Sequence, residues 1–170
     1  MSQAQTFDFD KDYSIEELLQ SVIAIKELPN QLAKVITGLT DESANKQYRE
    51  GSWTVRQIIH HLADSHMNAF IRTKHLLTQD SDSFQPYDQD LWNDLMDKDF
   101  NHEASFMIVL GIHQRWSLML LECLKQPEKY LALSAYHPEH KKNISLAQLI
   151  ALYGWHGFHH VLQIQEALKK

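Results

Sequence analysis

Cysteine, glycine and proline are the scarce residues of this 170-residue chain. The single cysteine, Cys123, excludes an intramolecular disulfide and fits a reducing compartment, so a cytoplasmic location is expected. Five glycines and four prolines leave little turn chemistry for a many-stranded sandwich or barrel and favour long uninterrupted helices. No unbroken apolar run approaches the roughly 18 residues of a membrane span, so no membrane partner is expected. The opening MSQAQTFDFDKDYS is polar and acidic rather than basic then apolar, which is not the pattern of a signal peptide. Positive charge is also in deficit. With 16 Lys and Arg against 22 Asp and Glu, the net charge of −6 gives no electrostatic ground for a nucleic-acid partner.

What remains is 44% apolar and 22% charged, the composition of one ordinary globular domain covering residues 1–170. Eleven histidines are its unusual content. Histidine is the commonest metal ligand and titrates near neutral pH, so the placement of these side chains decides what they do.

Four segments have helical periodicity. The first runs from about Ser14 to Leu39: Ser14 and Glu17 make a capping box, and Ile15, Leu18, Leu19, Val22 and Ile23 follow at helical spacing. Pro29 is expected to kink or divide it before Leu32, Val35 and Ile36. The second opens at GSWT, where Ser52 or Thr54 can cap, and continues to about Gln79. Between Ser81 and Asn101 a crossover is expected, with Asp88 capping a short helix that carries Leu91, Trp92 and Leu95. The third helix spans about Glu103 to Lys125 and is stopped by Pro127. Glu128 to Asn143 reads as an extended or turn-rich connection, and the fourth helix, capped by Ser145, runs to the carboxyl terminus. The expected architecture is all-α, a four-helix bundle with two longer connections.

On the fourth helix, His156 and His160 fall on the inward stripe with Leu149, Tyr153 and Ile164, while His159 projects sideways. Their i, i+4 spacing lets both nitrogens converge on one ion, the geometric basis of helical His-x-x-x-His metal sites. A hydrogen-bonded pair of core histidines is the competing reading, against which stands the desolvation cost of burying both without partners. A third ligand would come from another helix. The second helix offers His60, His61, His66 and His75; His66 lies within the apolar stripe, whereas His61 shares a polar flank with Ser65, Asn68 and Arg72. Periodicity does not choose between them. His113 on the third helix is also inward, as a fourth ligand, a supporting partner of a ligand or a packed histidine.

Absences narrow the chemistry further. Position 157 is glycine, so His156-Gly157-Phe158-His159-His160 lacks the glutamate of H-E-x-x-H metalloproteases, and no Glu-x-x-His pair indicates a di-iron carboxylate bundle. No nucleophile elbow, phosphate loop or dinucleotide-binding glycine motif occurs. Cys123 reads as a small packing residue rather than a nucleophile.

The segments GSWTVRQIIHHLADSHMNAFIR and YHPEHKKNISLAQLIALYGWHGFHH together resemble the DinB superfamily, in particular its YfiT-like branch of metal-dependent hydrolases. The resemblance extends from about Tyr48 to the end, with the first helix compatible. It implies a bundle in up-down-down-up order, a homodimer, and one divalent metal on three histidines. Those are the histidine directly before Leu-Ala-Asp, His61, and the helical pair His156 and His160; His60, His66 and His159 are then not ligands. Zn²⁺ is the expected ion, with Ni²⁺ the alternative. The implied activity is hydrolysis of a small-molecule substrate by metal-activated water, and the alternative is an S-transferase using a low-molecular-weight thiol such as bacillithiol or mycothiol. A non-catalytic metal- or haem-binding bundle, or a structural protein with three core histidines, is the rival from another class. Ser65, Asn68, Arg72, His113 and Tyr153 are candidates for the pocket wall, with Arg72 otherwise a solvated surface charge and Tyr153 a core aromatic. No residue presents itself as a general base.

Overall fold

The computed structural model describes residues 7–169; the readings that fall on residues 1–6 and on Lys170 lie outside them. Helix α1 (Ile15–Ile36), α3 (Val55–Thr78) and α7 (Leu146–Leu168) begin at reciprocal capping boxes, formed by Ser14 with Glu17, Thr54 with Gln57 and Ser145 with Gln148. Each hydroxyl accepts from the backbone N–H three residues on, and each Glu or Gln side chain accepts in return from the cap backbone. Helix α5 (Glu103–Leu124) has no such cap; the Asn101 side chain accepts from the Glu103 N–H instead. Three short helices, α2 (Asp41–Ala44), α4 (Gln89–Trp92) and α6 (Pro127–Tyr130), lie in the connections. Asp88 caps α4 as expected, but Leu91 and Leu95 are exposed. The connection after α6 folds into a hairpin of β1 (Ser134–His137) and β2 (Lys142–Ser145), paired antiparallel with Ala135 opposite Ile144. The crossover is pinned to that hairpin by two backbone bonds between Tyr136 and residues Asp82 and Phe84.

Pro29 does not divide the first helix: α1 continues unbroken from Ile15 to Ile36. A proline ring removes the N–H that would bond to the carbonyl four residues earlier, here that of Ile25. That carbonyl is taken by the side chain of His113 on α5, so the vacancy is filled from outside the helix. The apolar stripe of α1 also differs from its sequence pattern. Leu18, Val22, Ile25, Leu28 and Leu32 are buried, but Ile15, the first residue of the helix, and Ile23, turned about 100° from its neighbour Val22, are exposed.

The four long helices form a ring in which α1 touches α5 and α7, and α3 touches the same two. Their directions follow from matched contacts. His60 meets Ser105, His66 meets His113 and Thr73 meets Trp116, so α3 and α5 run parallel across their long crossover. Ser21 lies against Gly154 and Leu28 against Gly157, so α1 and α7 are parallel as well. Between α3 and α7 the order reverses, with His61 near His160 and Ser65 near Tyr153. The bundle is therefore up-down-down-up. A Cβ at Gly154 would lie 2.7 Å from Ser21 Cβ and one at Gly157 2.6 Å from Leu28 Cδ2, so glycine sets the close approach of α1 and α7.

Helix α5 is long and apolar enough to cross a membrane by length and a mean hydropathy of 1.3, although His113, Gln114 and Arg115 interrupt every apolar run. Here it is a bundle helix that buries Val109, His113, Trp116, Leu120 and Cys123. The apolar interior is not continuous. One cluster joins Leu18, Val22, Ile25, Ala69, Trp116, Leu120, Leu149 and Ile150; the other joins Leu28, Leu32, Ile58, Ile59, Leu62, Val109, Val161 and Ile164. On every helix the break between the two clusters falls at the same level, and imidazoles occupy it.

Candidate metal centre

Helix α3 supplies His61 to this level, and α7 supplies His156 and His160, one turn apart. The three turn their Nε2 atoms toward a common point: His156 Nε2 is 3.3 Å from that of His61 and 3.2 Å from that of His160, and all three donor atoms lie within 4.8 Å of one another. His61 and His160 are buried and His156 is partly open. The indole of Trp53 packs against His61 with ring centroids 4.6 Å apart.

Proton positions follow from the partners of the other nitrogens. The Ile25 carbonyl can only accept, so His113 Nδ1–H donates to it at 2.5 Å. A neutral imidazole carries one N–H, so His113 Nε2 must accept, and it does so from His66 Nδ1 at 2.9 Å. His66 Nε2 in turn accepts from His156 Nδ1 at 3.1 Å. The chain of three bonds leaves His156 Nε2 as a bare lone pair directed at the cluster. On the other side, His160 Nδ1 donates to Gln163 Oε1 at 2.7 Å, so His160 Nε2 is also a lone pair, while the Gln163 amide donates to His159 Nε2 at 2.9 Å.

Burial keeps these rings neutral. It pushes His61 and His113 down to about 4, with the Ile25 carbonyl opposing the shift at His113. His66 and His156 are held well below the usual histidine range by burial first and by neighbouring imidazoles second; at His160 burial again dominates, against the Gln163 bond. Two lone pairs facing each other at 3.2 Å with no proton between them suit a shared cation. A divalent transition metal fits this donor set: three neutral imidazoles, two with their second nitrogen anchored by a hydrogen bond.

A cavity of about 280 Å³ opens beside His156, between α3, α7, the crossover and the hairpin. Of the expected wall residues, Ser65, Arg72 and Tyr153 line it. Asn68 does not; its amide donates to the Asp64 carbonyl within its own helix. His113 is fully buried in the hydrogen-bonded chain instead. Arg72 is not a solvated charge but 6% exposed, because the polar flank of α3 faces α7 and the crossover, where Gln85 accepts from Nη2 at 3.2 Å. Tyr153 is at once a core aromatic and a cavity wall, with its hydroxyl 3.3 Å from that of Ser65. Tyr87 from the crossover and His137, Glu139 and His140 from the hairpin segment were not singled out by sequence; the Y-H-P-E-H run was the only signal of the latter three, and Tyr87 had none. Gly157, where a metalloprotease carries its glutamate, faces Leu28 on α1. His60 bonds to Ser105, His75 pairs with Asp80 at the surface, and Cys123 is packed in the core.

Residues 24–164 match the family model of the DinB superfamily. The chain is 39% identical over 167 residues to a protein of Geobacillus thermodenitrificans named "Putative metal-dependent hydrolase", covering 97% of this chain and 92% of that one. It is 37% identical over 147 residues to the Bacillus subtilis protein named "Putative metal-dependent hydrolase YfiT", covering 86% and 81%. The solved structure of YfiT, described as "a probable metal-dependent hydrolase with an unusual four-helix bundle topology", superposes with a TM-score of 0.88 at 34% identity, over 96% of this chain and 92% of that one.

Proposed function

Because the chain belongs to the DinB superfamily, we propose that it is a metal-dependent hydrolase of small molecules whose ion is held by the Nε2 atoms of His61, His156 and His160. The observation that carries this reading is the convergence of three Nε2 atoms, two of them left without protons by their partners. Three imidazoles on a divalent ion leave positions for water and substrate, and the ion supplies Lewis acidity that activates water near neutral pH. Zn²⁺ is the proposed ion, with Ni²⁺ compatible with the same all-nitrogen set. The chain's own residues fix the geometry: His66 and Gln163 hold the rings of His156 and His160, Trp53 covers His61, and the cavity beside His156 admits substrate from one side.

The test is turnover of a panel of chromogenic esters and amides by zinc-loaded protein, with and without added bacillithiol or cysteine, alongside His156→Ala. Hydrolysis proportional to bound zinc, independent of thiol and lost in the variant, is the expected result. Turnover that requires thiol would reassign the site to thiol transfer, and a Soret band on reconstitution with haem would indicate a different cofactor.

A further inference from the structure

Arg72 carries a permanent charge and is 6% exposed, yet among the described residues it forms no ion pair. One of its donors reaches the Gln85 carbonyl, and its guanidinium lies over the rings of Phe84, at 5.6 Å, and Tyr87, at 6.0 Å. Its Nε–H is buried without a partner. Facing the same cavity, His137 is 2% exposed and its Nδ1 also has no partner. Glu139 is the one carboxylate among the cavity's lining residues, and it accepts from the Gln89 amide rather than pairing with Arg72. A buried cation without a counter-charge is costly unless something supplies one, and aromatic faces do not satisfy an N–H. A desolvated cation and an imidazole with an unpartnered nitrogen, Arg72 and His137, therefore both line the cavity that also contains His156.

We propose that Arg72, assisted by His137, is an oxyanion-binding site, so that the cavity takes organic anions whose carboxylate or phosphate seats on the guanidinium. The planar fork of arginine matches both groups. Phe9, Leu152 and Trp155, which line the same space, suit an apolar or aromatic body beyond the anionic group. That such an anion is a substrate, with its scissile bond toward His156, rests on the hydrolase reading above; the anion site itself does not.

The experiment is calorimetric titration of zinc-loaded protein with benzoate, phenyl phosphate and the neutral benzamide. The expected result is that benzoate or phenyl phosphate binds at least about tenfold more tightly than benzamide, the tighter of the two identifying the preferred oxyanion. Arg72→Gln should abolish that preference without changing metal content, and His156→Ala should keep it. Should the glutamine variant misfold, Arg72→Lys retains the charge without the fork and should weaken binding by about tenfold. In the wild type, an arginine Nε–H resonance that is missing from Arg72→Lys should shift on adding benzoate. Equal binding of benzoate, phenyl phosphate and benzamide, or a preference that survives Arg72→Gln and disappears in His156→Ala, would overturn the proposal, the latter by placing the anion on the metal. An anion preference without hydrolysis of any anionic ester would leave the anion site standing and remove the reading of that anion as substrate.

Discussion

Five buried or half-buried histidines share one level of the bundle, and two of them differ from the other three in what their nitrogens meet. His66 and His113 have both nitrogens engaged, in a hydrogen-bonded chain that ends on a backbone carbonyl. His61, His156 and His160 turn Nε2 toward one another, where no proton is available to join the lone pairs of His156 and His160. Burial pushes all five toward the neutral form, so burial does not separate them. The direction of the hydrogen bonds does. A carbonyl stranded by Pro29 fixes the proton on His113, and that choice propagates through His66 to leave the lone pair of His156 Nε2 facing His61 and His160.

Breaking the converging group should have the largest effect. His156→Ala removes a proposed ligand and the end of the chain together, so metal affinity should fall by more than about 100-fold, read by competition with a chromogenic chelator, and turnover should fall with it. His66→Leu leaves all three proposed ligands but strands the His156 N–H; affinity should drop by about 10- to 100-fold while secondary structure is retained by circular dichroism. Pro29→Ala sharpens the comparison from the far end. It returns an N–H to compete for the Ile25 carbonyl, so metal affinity should weaken by less than about tenfold even though alanine is the better helix former.

The smallest effect is on pH dependence. The folded pKa of His113 lies at about 4, below the ordinary 6.5, so the unfolded chain binds the proton more readily. The resulting contribution to stability is complete above 6.5 and is lost as pH falls from 6.5 toward 4. The Tm of metal-free protein should therefore fall between about pH 7 and 4.5, with a shallower slope in His113→Leu. An unchanged slope would contradict the assignment of His113 as a neutral link.

How much of this was legible depended on the range of the interactions. His156 and His160 were readable because their register is local, one turn of one amphipathic helix. His61 was not separable from His66 by periodicity, since it sits on a polar flank whose burial depends on α7 packing against it; family resemblance, not the pattern, distinguished the two. Arg72, on the same flank, was left between pocket wall and solvated charge for the same reason, and the packing makes it a wall residue. The chain from Ile25 to His156 joins α1, α5, α3 and α7, and Pro29 gave only the local signal of a helix breaker, which tertiary contact overrode. The hairpin rests on two four-residue strands and bonds to a distant crossover, too short a pattern to stand out from a turn-rich connection.

The measurement that tests the central claim most directly is X-ray absorption at the zinc edge on zinc-loaded wild-type protein. Three imidazole nitrogens at about 2.0–2.1 Å, one or more water oxygens and no sulfur are expected. A shell closed by four protein nitrogens, a sulfur ligand from Cys123, or protein that takes up no zinc would contradict it.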